Sequence, residues 1–181
     1  MGNGYQIAVF GSGNPDTDKG LLKIAEEVGS NIAEKGHTLI SGMAKGISVY
    51  AAKGAKDVGG NTVGISPSTN RMEMGNYNVS AKYIDTVIHT GMGDRGRNLI
   101  SARACDGLIV INGSFGVLNE ITVAVGENKP IVIIKNSGGV ADIVKDIFKK
   151  LDPGYKWISY VNNHLDAVGK LEQLIEAQKL V

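Results

Sequence analysis

Short apolar runs alternate with amphipathic stretches along almost the whole chain. Six runs have the length and the β-branched content of strands, and the run at 158–161 is a further candidate. Between the runs, apolar residues recur every three or four positions, which is typical of helices that bury one face. The alternation predicts an α/β fold, a Rossmann-like doubly wound parallel sheet of about six or seven strands with helices on both faces. The six runs are residues 6–10, 38–41, 62–65, 86–89, 107–111 and 131–135.

The order of the strands predicts where a ligand would bind. Right-handed crossovers favour the order 3-2-1-4-5-6, with the third and fourth strands on opposite sides of the first. Ligands of such sheets bind beyond the carboxyl ends of the strands where the winding reverses, which here means the first and fourth strands. The segments expected to meet there are residues 11–14, 89–97 and 112–116, with residues 41–46 on the other flank.

The stretch Asn112–Glu120, NGSFGVLNE, leads from a predicted strand through a turn of small residues into a helix. Gly113, Ser114 and Gly116 leave the backbone N–H groups of the turn uncovered, at the positive end of the helix dipole. We therefore expect the turn to bind an anion such as a phosphate group. Glu120 follows in the first turns of the helix and is expected to point back towards that anion. A carboxylate that only stabilises the helix N-terminus is an equal alternative.

The segment Gly91–Asn98, GMGDRGRN, places two arginines close to the start of another helix. If Asp94 caps a helix that runs to Cys105, Arg95 and Arg97 stand in its first turn, where the dipole disfavours cations by about 0.3–1 kcal/mol. Recognition of a phosphate or carboxylate would explain a guanidinium at Arg97, which is expected near the anion turn. A solvated surface arginine is the alternative, and no ligand role is inferred for Arg95.

Composition excludes several classes of protein. The chain has 181 residues, 43% of them apolar, and a net charge of +1, so one domain over residues 1–181 is expected, and a nucleic acid partner is not. No apolar run approaches the roughly 20 residues that span a bilayer, so a cytoplasmic protein is predicted. The single cysteine, Cys105, is expected in the core. No His, Cys and Asp residues have metal-ligand spacing, so no metal is implied.

A dinucleotide-dependent oxidoreductase is the obvious alternative for such a fold. Gly11 and Gly13 fit the first two glycines of the GxGxxG fingerprint, but Asp16 occupies the third position. The second predicted strand ends in Ser41-Gly42, without the acidic residue that would bind a ribose hydroxyl group. The sequence therefore disfavours dependence on NAD(P).

The residues resemble a known family. RNLISARACDGLIVINGSFGVLNEI, residues 97–121, is similar to the region of the LONELY GUY, or lysine decarboxylase-like, proteins that contains the motif PGGxGTxxE. FGSG at 10–13, SGMAKGI at 41–47 and HTGMGDRGRN at 89–98 resemble the subgroup that includes the molybdenum-cofactor carrier proteins. SGMAKGI and GGNTVGI also resemble the Rossmann domain of DNA-processing protein A. The resemblance covers most of the chain and implies a nucleotide-binding fold.

The resemblance also implies a set of site residues. LONELY GUY enzymes cleave the N-glycosidic bond of cytokinin nucleoside 5′-monophosphates and release the base and ribose 5-phosphate. Arg97 and Glu120 match the catalytic arginine and glutamate of these enzymes. Glu120 would stabilise oxocarbenium character or activate a water molecule, and Arg97 would orient the ribose or the phosphate. The predicted ligand-binding or phosphate-binding residues are Gly11, Ser12, Gly13, Gly42, Lys45, Asn98, Gly113, Ser114, Phe115, Gly116 and Val117.

Four positions depart from the enzymes' pattern. Asn112 replaces the proline of the motif, Ser114 its second glycine and Val117 its threonine, while Asn98 stands where the enzymes carry lysine. Two functions therefore stay open: a phosphoribohydrolase of nucleoside 5′-monophosphates, and a non-catalytic carrier or sensor of a phosphorylated cofactor. A binder of single-stranded DNA is disfavoured by the small net charge.

Other expectations concern partners and loops. The ligand is expected to be a nucleoside monophosphate or a phosphorylated cofactor, with no further cofactor required. The resemblance implies a homodimer or a dimer of dimers. Lys45 could meet a phosphate or a ribose, or could be a solvated loop residue. The polar stretch 66–82 is predicted to be a lid, a dimer contact or a mobile loop.

Overall fold

Seven parallel strands form one sheet in the computed structural model, which describes residues 4–180. Their order in the sheet is β4-β3-β2-β1-β5-β6-β7. The predicted strands are thus confirmed, with differences of one residue at some ends. The strands are β1 (Gln6–Gly11), β2 (Thr38–Ser41), β3 (Asn61–Ser66), β4 (Thr86–His89), β5 (Gly107–Ile111), β6 (Ile131–Ile134) and β7 (Ile158–Val161).

Six α-helices cover the two faces of the sheet. Helices α1, α2 and α6 pack on one face, and α3, α4 and α5 on the other. Across residues 4–180, every helix is too short or too polar to cross a lipid bilayer. The helices are α1 (Lys19–Glu34), α2 (Ile47–Asp57), α3 (Gly93–Arg103), α4 (Phe115–Gly126), α5 (Val140–Leu151) and α6 (Ala167–Lys179).

The core is divided by the sheet into two layers of apolar side chains. Alternate residues of β1, such as Ile7 and Ala8, enter opposite layers because successive side chains of a strand point to opposite faces. All five residues of β5 are buried, as expected for a central strand with helices on both faces. Cys105 lies in one layer, where burial raises the pKa of its thiol to about 12, so the prediction that it is a core residue is confirmed.

The predicted strand order was wrong at one point. β4 pairs with β3, and β5 pairs with β1, so the winding reverses between β1 and β5 and not between the first and fourth strands. The physical reason lies in burial. β4 has two exposed residues, Thr86 and Ile88, and so fits an edge position, whereas the wholly apolar β5 needs neighbours on both sides.

Candidate functional site

A cleft opens at the carboxyl edge of the sheet, where β1 and β5 lie side by side. It has an inner and an outer hollow, which share the lining residues Ala44, Arg97, Asn98 and Gly116. This is the place where the reversal of the winding puts ligands in open α/β sheets. The inner hollow is also lined by Gly11, Gly13, Ser48, Ser114, Val117 and Glu120, and the outer hollow by Asn78, Asp94 and Arg95.

The predicted anion turn between β5 and α4 is formed by two residues with positive φ. Asn112 has φ 60° and Gly113 has φ 110°, a value that only glycine adopts readily. The N–H of Gly113 donates to Oδ1 of Asn112, so it is already satisfied within the protein. Gly113, which was predicted to bind phosphate, therefore shapes the backbone of the turn. The first N–H group without a protein acceptor within residues 4–180 is that of Ser114.

The loop after β6 holds this turn in place. Ser137, which is buried, accepts a hydrogen bond from the N–H of Asn112 at 2.8 Å and donates to the carbonyl of Ile134 at 2.7 Å. The side-chain amide of Asn112 donates to the carbonyl of Ser137 at 2.7 Å. The N–H of Val140 donates to the carbonyl of Gly113. Asn112 thus fixes the turn by hydrogen bonds at the position where the LONELY GUY motif has a proline.

Helix α4 presents unsatisfied donors to the cleft. Within residues 4–180, the N–H groups of Ser114, Phe115, Gly116 and Val117 have no protein acceptor. The start of α2 faces the same inner hollow through Ser48. Two helix N-termini therefore direct the positive ends of their dipoles at one cleft, an arrangement that favours a bound anion.

Arg97 and Glu120 meet at the base of the cleft. Nη1 of Arg97 donates to Oε1 of Glu120 at 3.2 Å, and both residues are about 95% buried, with exposed fractions of 6% and 5%. The Nε of Arg97 is buried without a hydrogen-bond partner in the part of the chain that the structure describes. A buried and unsatisfied donor is costly, so this N–H marks a place where a ligand atom could bind.

The pKa of the Glu120 carboxyl group is shifted towards neutral pH. Burial raises its pKa to about 7, although the guanidinium of Arg97 acts in the opposite direction. A carboxyl group that titrates near pH 7 in a cleft is suited to proton transfer. Residues 4–180 contain no group of three His, Cys, Asp or Glu side chains arranged to hold a metal ion.

Gly42 makes room for Arg97. A β-carbon at this position would lie 2.1 Å from Nη1 and 2.9 Å from Cζ of Arg97. The guanidinium therefore lies directly against the backbone that follows β2, and any larger residue would displace it. Gly42 does not itself line the cleft, so the structure gives it a steric role towards Arg97.

Asn98 and Val117 occupy two of the four positions that differ from the enzymes' pattern. Asn98 is buried, and its amide donates to Oδ1 of Asn119 at 2.9 Å, joining α3 to α4. Val117 packs against Gly113 and lines the inner hollow. Both side chains reach the cleft, and Val117 offers only its backbone N–H to a ligand.

The start of α3 differs from the prediction. The helix begins at Gly93 after Met92, without a side-chain cap, so Asp94 is not the N-cap and lies in the first turn. Arg95 is the third helical residue and Arg97 the fifth, and the helix ends at Arg103, before Cys105. The electrostatic conflict between a cation and the helix N-terminus therefore concerns Arg95 more than Arg97.

Besides Gly42 and Gly113, three predicted residues lie outside the lining of the cleft: Ser12, Lys45 and Phe115. Ser12 accepts hydrogen bonds from Asn14 and Thr17 and supports α2 through its carbonyl. The side chain of Lys45 is directed to solvent, and Phe115 is 80% exposed at the start of α4. Contact of these side chains with a ligand stays a prediction.

The stretch 66–82 forms one side of the outer hollow. A short antiparallel bridge joins Val79 to Ala44, and the amide of Asn78 donates to the carbonyl of Gly13 at 3.3 Å. These contacts attach the stretch to the loops after β1 and β2, beside the cleft. The predicted roles of this stretch, as a lid or as a dimer contact, stay predictions.

Sequence reasoning missed five residues of the cleft: Ala44, Ser48, Asn78, Asp94 and Arg95. Ser48 could have been found, because a helix that starts after a Gly-rich loop at the carboxyl edge must direct its first turn to the site. Arg95 carried the same signal as Arg97, a cation near a helix start. Ala44 and Asn78 carry no such signal, since their positions depend on how two loops meet.

The chain is similar to several known proteins. A protein of Archaeoglobus fulgidus whose function is uncharacterised is 38% identical over 130 residues, which cover 72% of this chain and 80% of that protein. The molybdenum cofactor carrier protein from Chlamydomonas reinhardtii is 28% identical, with 96% of this chain and 99% of that chain covered and a TM-score of 0.79. The molybdenum cofactor binding protein from Rippkaea orientalis is also 28% identical, with 97% and 99% covered and a TM-score of 0.79.

A more distant similarity concerns the fold alone. DNA processing protein A from Helicobacter pylori is 16% identical, with 94% of this chain and 81% of that chain covered and a TM-score of 0.71. The resemblances inferred from the sequence are thus confirmed. A family model described as the SLOG cluster4 family matches residues 4–167, and the chain belongs to that family.

Proposed function

We propose that the cleft binds a small molecule with a phosphate group, a nucleoside 5′-monophosphate or a phosphorylated cofactor. One observation carries this proposal: four unsatisfied N–H groups at the start of α4 adjoin Arg97, whose buried Nε has no partner within residues 4–180. Oriented backbone donors and a guanidinium are the groups that recognise phosphate in proteins. The SLOG family and its nucleotide-binding fold support the assignment.

The chemistry that this arrangement favours is hydrolysis of an N-glycosidic bond. Breaking the bond between ribose and base develops positive charge on the sugar, which a buried carboxylate stabilises. Glu120 would supply that carboxylate and would position or deprotonate a water molecule. Arg97 holds Glu120 in place at 3.2 Å and would orient the ribose or phosphate through its free Nε. The phosphate would be held by the N–H groups of α4.

A second candidate is a carrier that holds a phosphorylated pterin-type cofactor without turnover. The similarity to the two molybdenum cofactor proteins, which extends over nearly the whole of each chain, favours this candidate. The replacement of the motif's threonine by Val117 favours it as well, because the chain departs here from the pattern of the hydrolases. Release of free base by the purified protein distinguishes the hydrolase from the carrier.

Nucleoside 5′-monophosphates should bind at least about tenfold more tightly than the matching nucleosides. The reason is that the α4 donors recognise phosphate, and each charge-assisted hydrogen bond contributes about 1.5–3 kcal/mol. Calorimetry with AMP and adenosine measures the difference directly. Equal affinities for the two compounds, or no binding of either, would contradict the proposal.

We also propose a homodimer or a dimer of dimers. Leu99 on α3 and Phe115 at the start of α4 leave apolar surface exposed, at 38% and 80%. An apolar groove lined by Leu118, Val125 and Ile147 runs between α4 and α5. Light scattering at micromolar concentration should give two or four times the chain mass of 19.1 kDa. A mass equal to one chain would contradict the expectation.

A further inference from the structure

We propose that Arg95 is a second phosphate-binding residue of the cleft, and that with the start of α4 it selects a terminal phosphate monoester. This inference rests on the proposed function and deepens it. Nη1 of Arg95 lies 3.5 Å from the place that a β-carbon on Gly116 would occupy. The guanidinium therefore lies over the first turn of α4, beside the unsatisfied N–H groups.

Two further observations indicate that this guanidinium serves a ligand. Within residues 4–180, no carboxylate oxygen lies within 4 Å of Arg95, whereas Arg103 on the same helix pairs with Glu127 at 3.2 Å. Arg97 lines the same cleft and is 94% buried, and its Nε has no partner within those residues. The cleft thus combines a buried, unsatisfied donor with an arginine that has no ion-pair partner.

The two arginines have different electrostatic roles. The charge of Arg97 is balanced by Glu120 when that carboxyl group is ionised, so Arg97 adds little net attraction for an anion. Arg95 has no ion-pair partner within residues 4–180, although Asp94 lines the same outer hollow. In addition, Arg95 stands in the first turn of α3, where the dipole disfavours a cation unless an anion compensates. A bound phosphate would provide that compensation.

The number of donors indicates the class of phosphate. The start of α4 lines the inner hollow and Arg95 lines the outer hollow, and the two hollows adjoin at Gly116, which lines both and lies beside Nη1 of Arg95. A phosphate monoester has three terminal oxygens and up to two negative charges, so it can accept from both sets of donors. A diester has only two terminal oxygens and one charge. The ligand is therefore one that ends in a phosphate monoester, as a nucleoside 5′-monophosphate does.

Calorimetry with AMP, its 5′-methyl ester and adenosine tests the inference on three proteins: the unmodified chain, Arg95→Gln and Arg103→Gln. The unmodified chain should bind AMP about tenfold or more tightly than the methyl ester. Arg95→Gln should weaken AMP binding by about tenfold or more, remove most of the preference for the monoester and leave the affinity for adenosine unchanged. Arg103→Gln removes an equally charged residue of the same helix and should match the unmodified chain.

Failure of this inference can be separated from failure of the proposed function. If the unmodified chain prefers AMP to adenosine but Arg95→Gln keeps both the affinity and the preference for the monoester, the role of Arg95 is wrong and phosphate binding stands. If both arginine variants weaken AMP binding equally, the effect is general charge attraction, and the role of Arg95 is again wrong. If the unmodified chain does not distinguish AMP from adenosine, the proposed function itself is contradicted.

Discussion

Replacing Glu120 by Gln should slow release of free base from nucleoside monophosphates by at least ~100-fold and leave their affinity within a few-fold. The amide oxygen of Gln can still accept from Arg97, so the geometry of the cleft is kept. In the proposed site the phosphate is bound by backbone N–H groups, which the substitution does not touch. Stabilisation of the developing oxocarbenium charge is lost, and a factor of ~100 corresponds to about 2.7 kcal/mol of transition-state free energy.

If the unmodified chain is a hydrolase, the pH dependence of its base release gives a second readout of the same residue. In the proposed mechanism the carboxylate of Glu120 is the active form, and burial raises the pKa of this group to about 7. Base release should therefore increase as the pH rises through about 7, with a slope near tenfold per pH unit below that value and a plateau above it. In Glu120→Gln, this rise should be absent.

Arg97→Ala serves as the companion variant, because it should weaken binding and turnover together. Chromatography of a panel of nucleoside monophosphates detects the free base. Base release by Glu120→Gln at the unmodified rate would show that the catalytic assignment is wrong. Binding without release of base by the unmodified chain, across the whole panel, would identify the carrier as the correct candidate.

Gly42→Ala should reduce AMP affinity and base release by about 10- to 100-fold without unfolding the protein. A β-carbon at this position would lie 2.1 Å from Nη1 of Arg97, so the guanidinium must leave its place beside Glu120. Arg97 can move because the contact involves the far end of a long side chain. Gly42 is not among the glycines with positive φ, so alanine fits its backbone. The loss should therefore be functional, with little change in thermal stability.

Gly126→Ala is the matched control for this variant. Gly126 is the last residue of α4, its φ is not positive, and a β-carbon there would meet no atom within 4 Å. Binding and base release by Gly126→Ala should equal those of the unmodified chain. If Gly42→Ala also binds AMP normally, the contact between Gly42 and Arg97 does not matter for the ligand. Loss of the cooperative unfolding transition in Gly42→Ala would instead indicate a general structural role.

Much of the fold could be predicted because the signal is local. Each strand is a short apolar run, and each helix has an apolar face, so the elements follow from periodicity alone. The order of the strands could not be read in this way. The length of the chain between β3 and β4 does not determine on which side of the sheet β4 is added. The answer follows only from a comparison of burial, because β5 is wholly buried whereas Ile88 of β4 is exposed.

The candidate site was predictable to the extent that its residues follow strands. Glu120 and the turn before α4 come directly after β5, so topology places them at the carboxyl edge of the sheet. Tertiary packing decides the remaining features. The contact of Gly42 with Arg97, the hydrogen bonds of Asn112 with Ser137 and the position of Arg95 beside Gly116 all join residues that are distant in the sequence.

The location of the phosphate group can be observed directly by nuclear magnetic resonance. Titration of the ¹⁵N-labelled chain with AMP should shift the backbone amides of Phe115, Gly116 and Val117 and the side-chain Nε–H of Arg97 most strongly, because these donors have no protein acceptor within residues 4–180. Adenosine at the same concentration should leave the three backbone amides nearly unchanged. Saturation with AMP while these four resonances stay in place would contradict the proposed site.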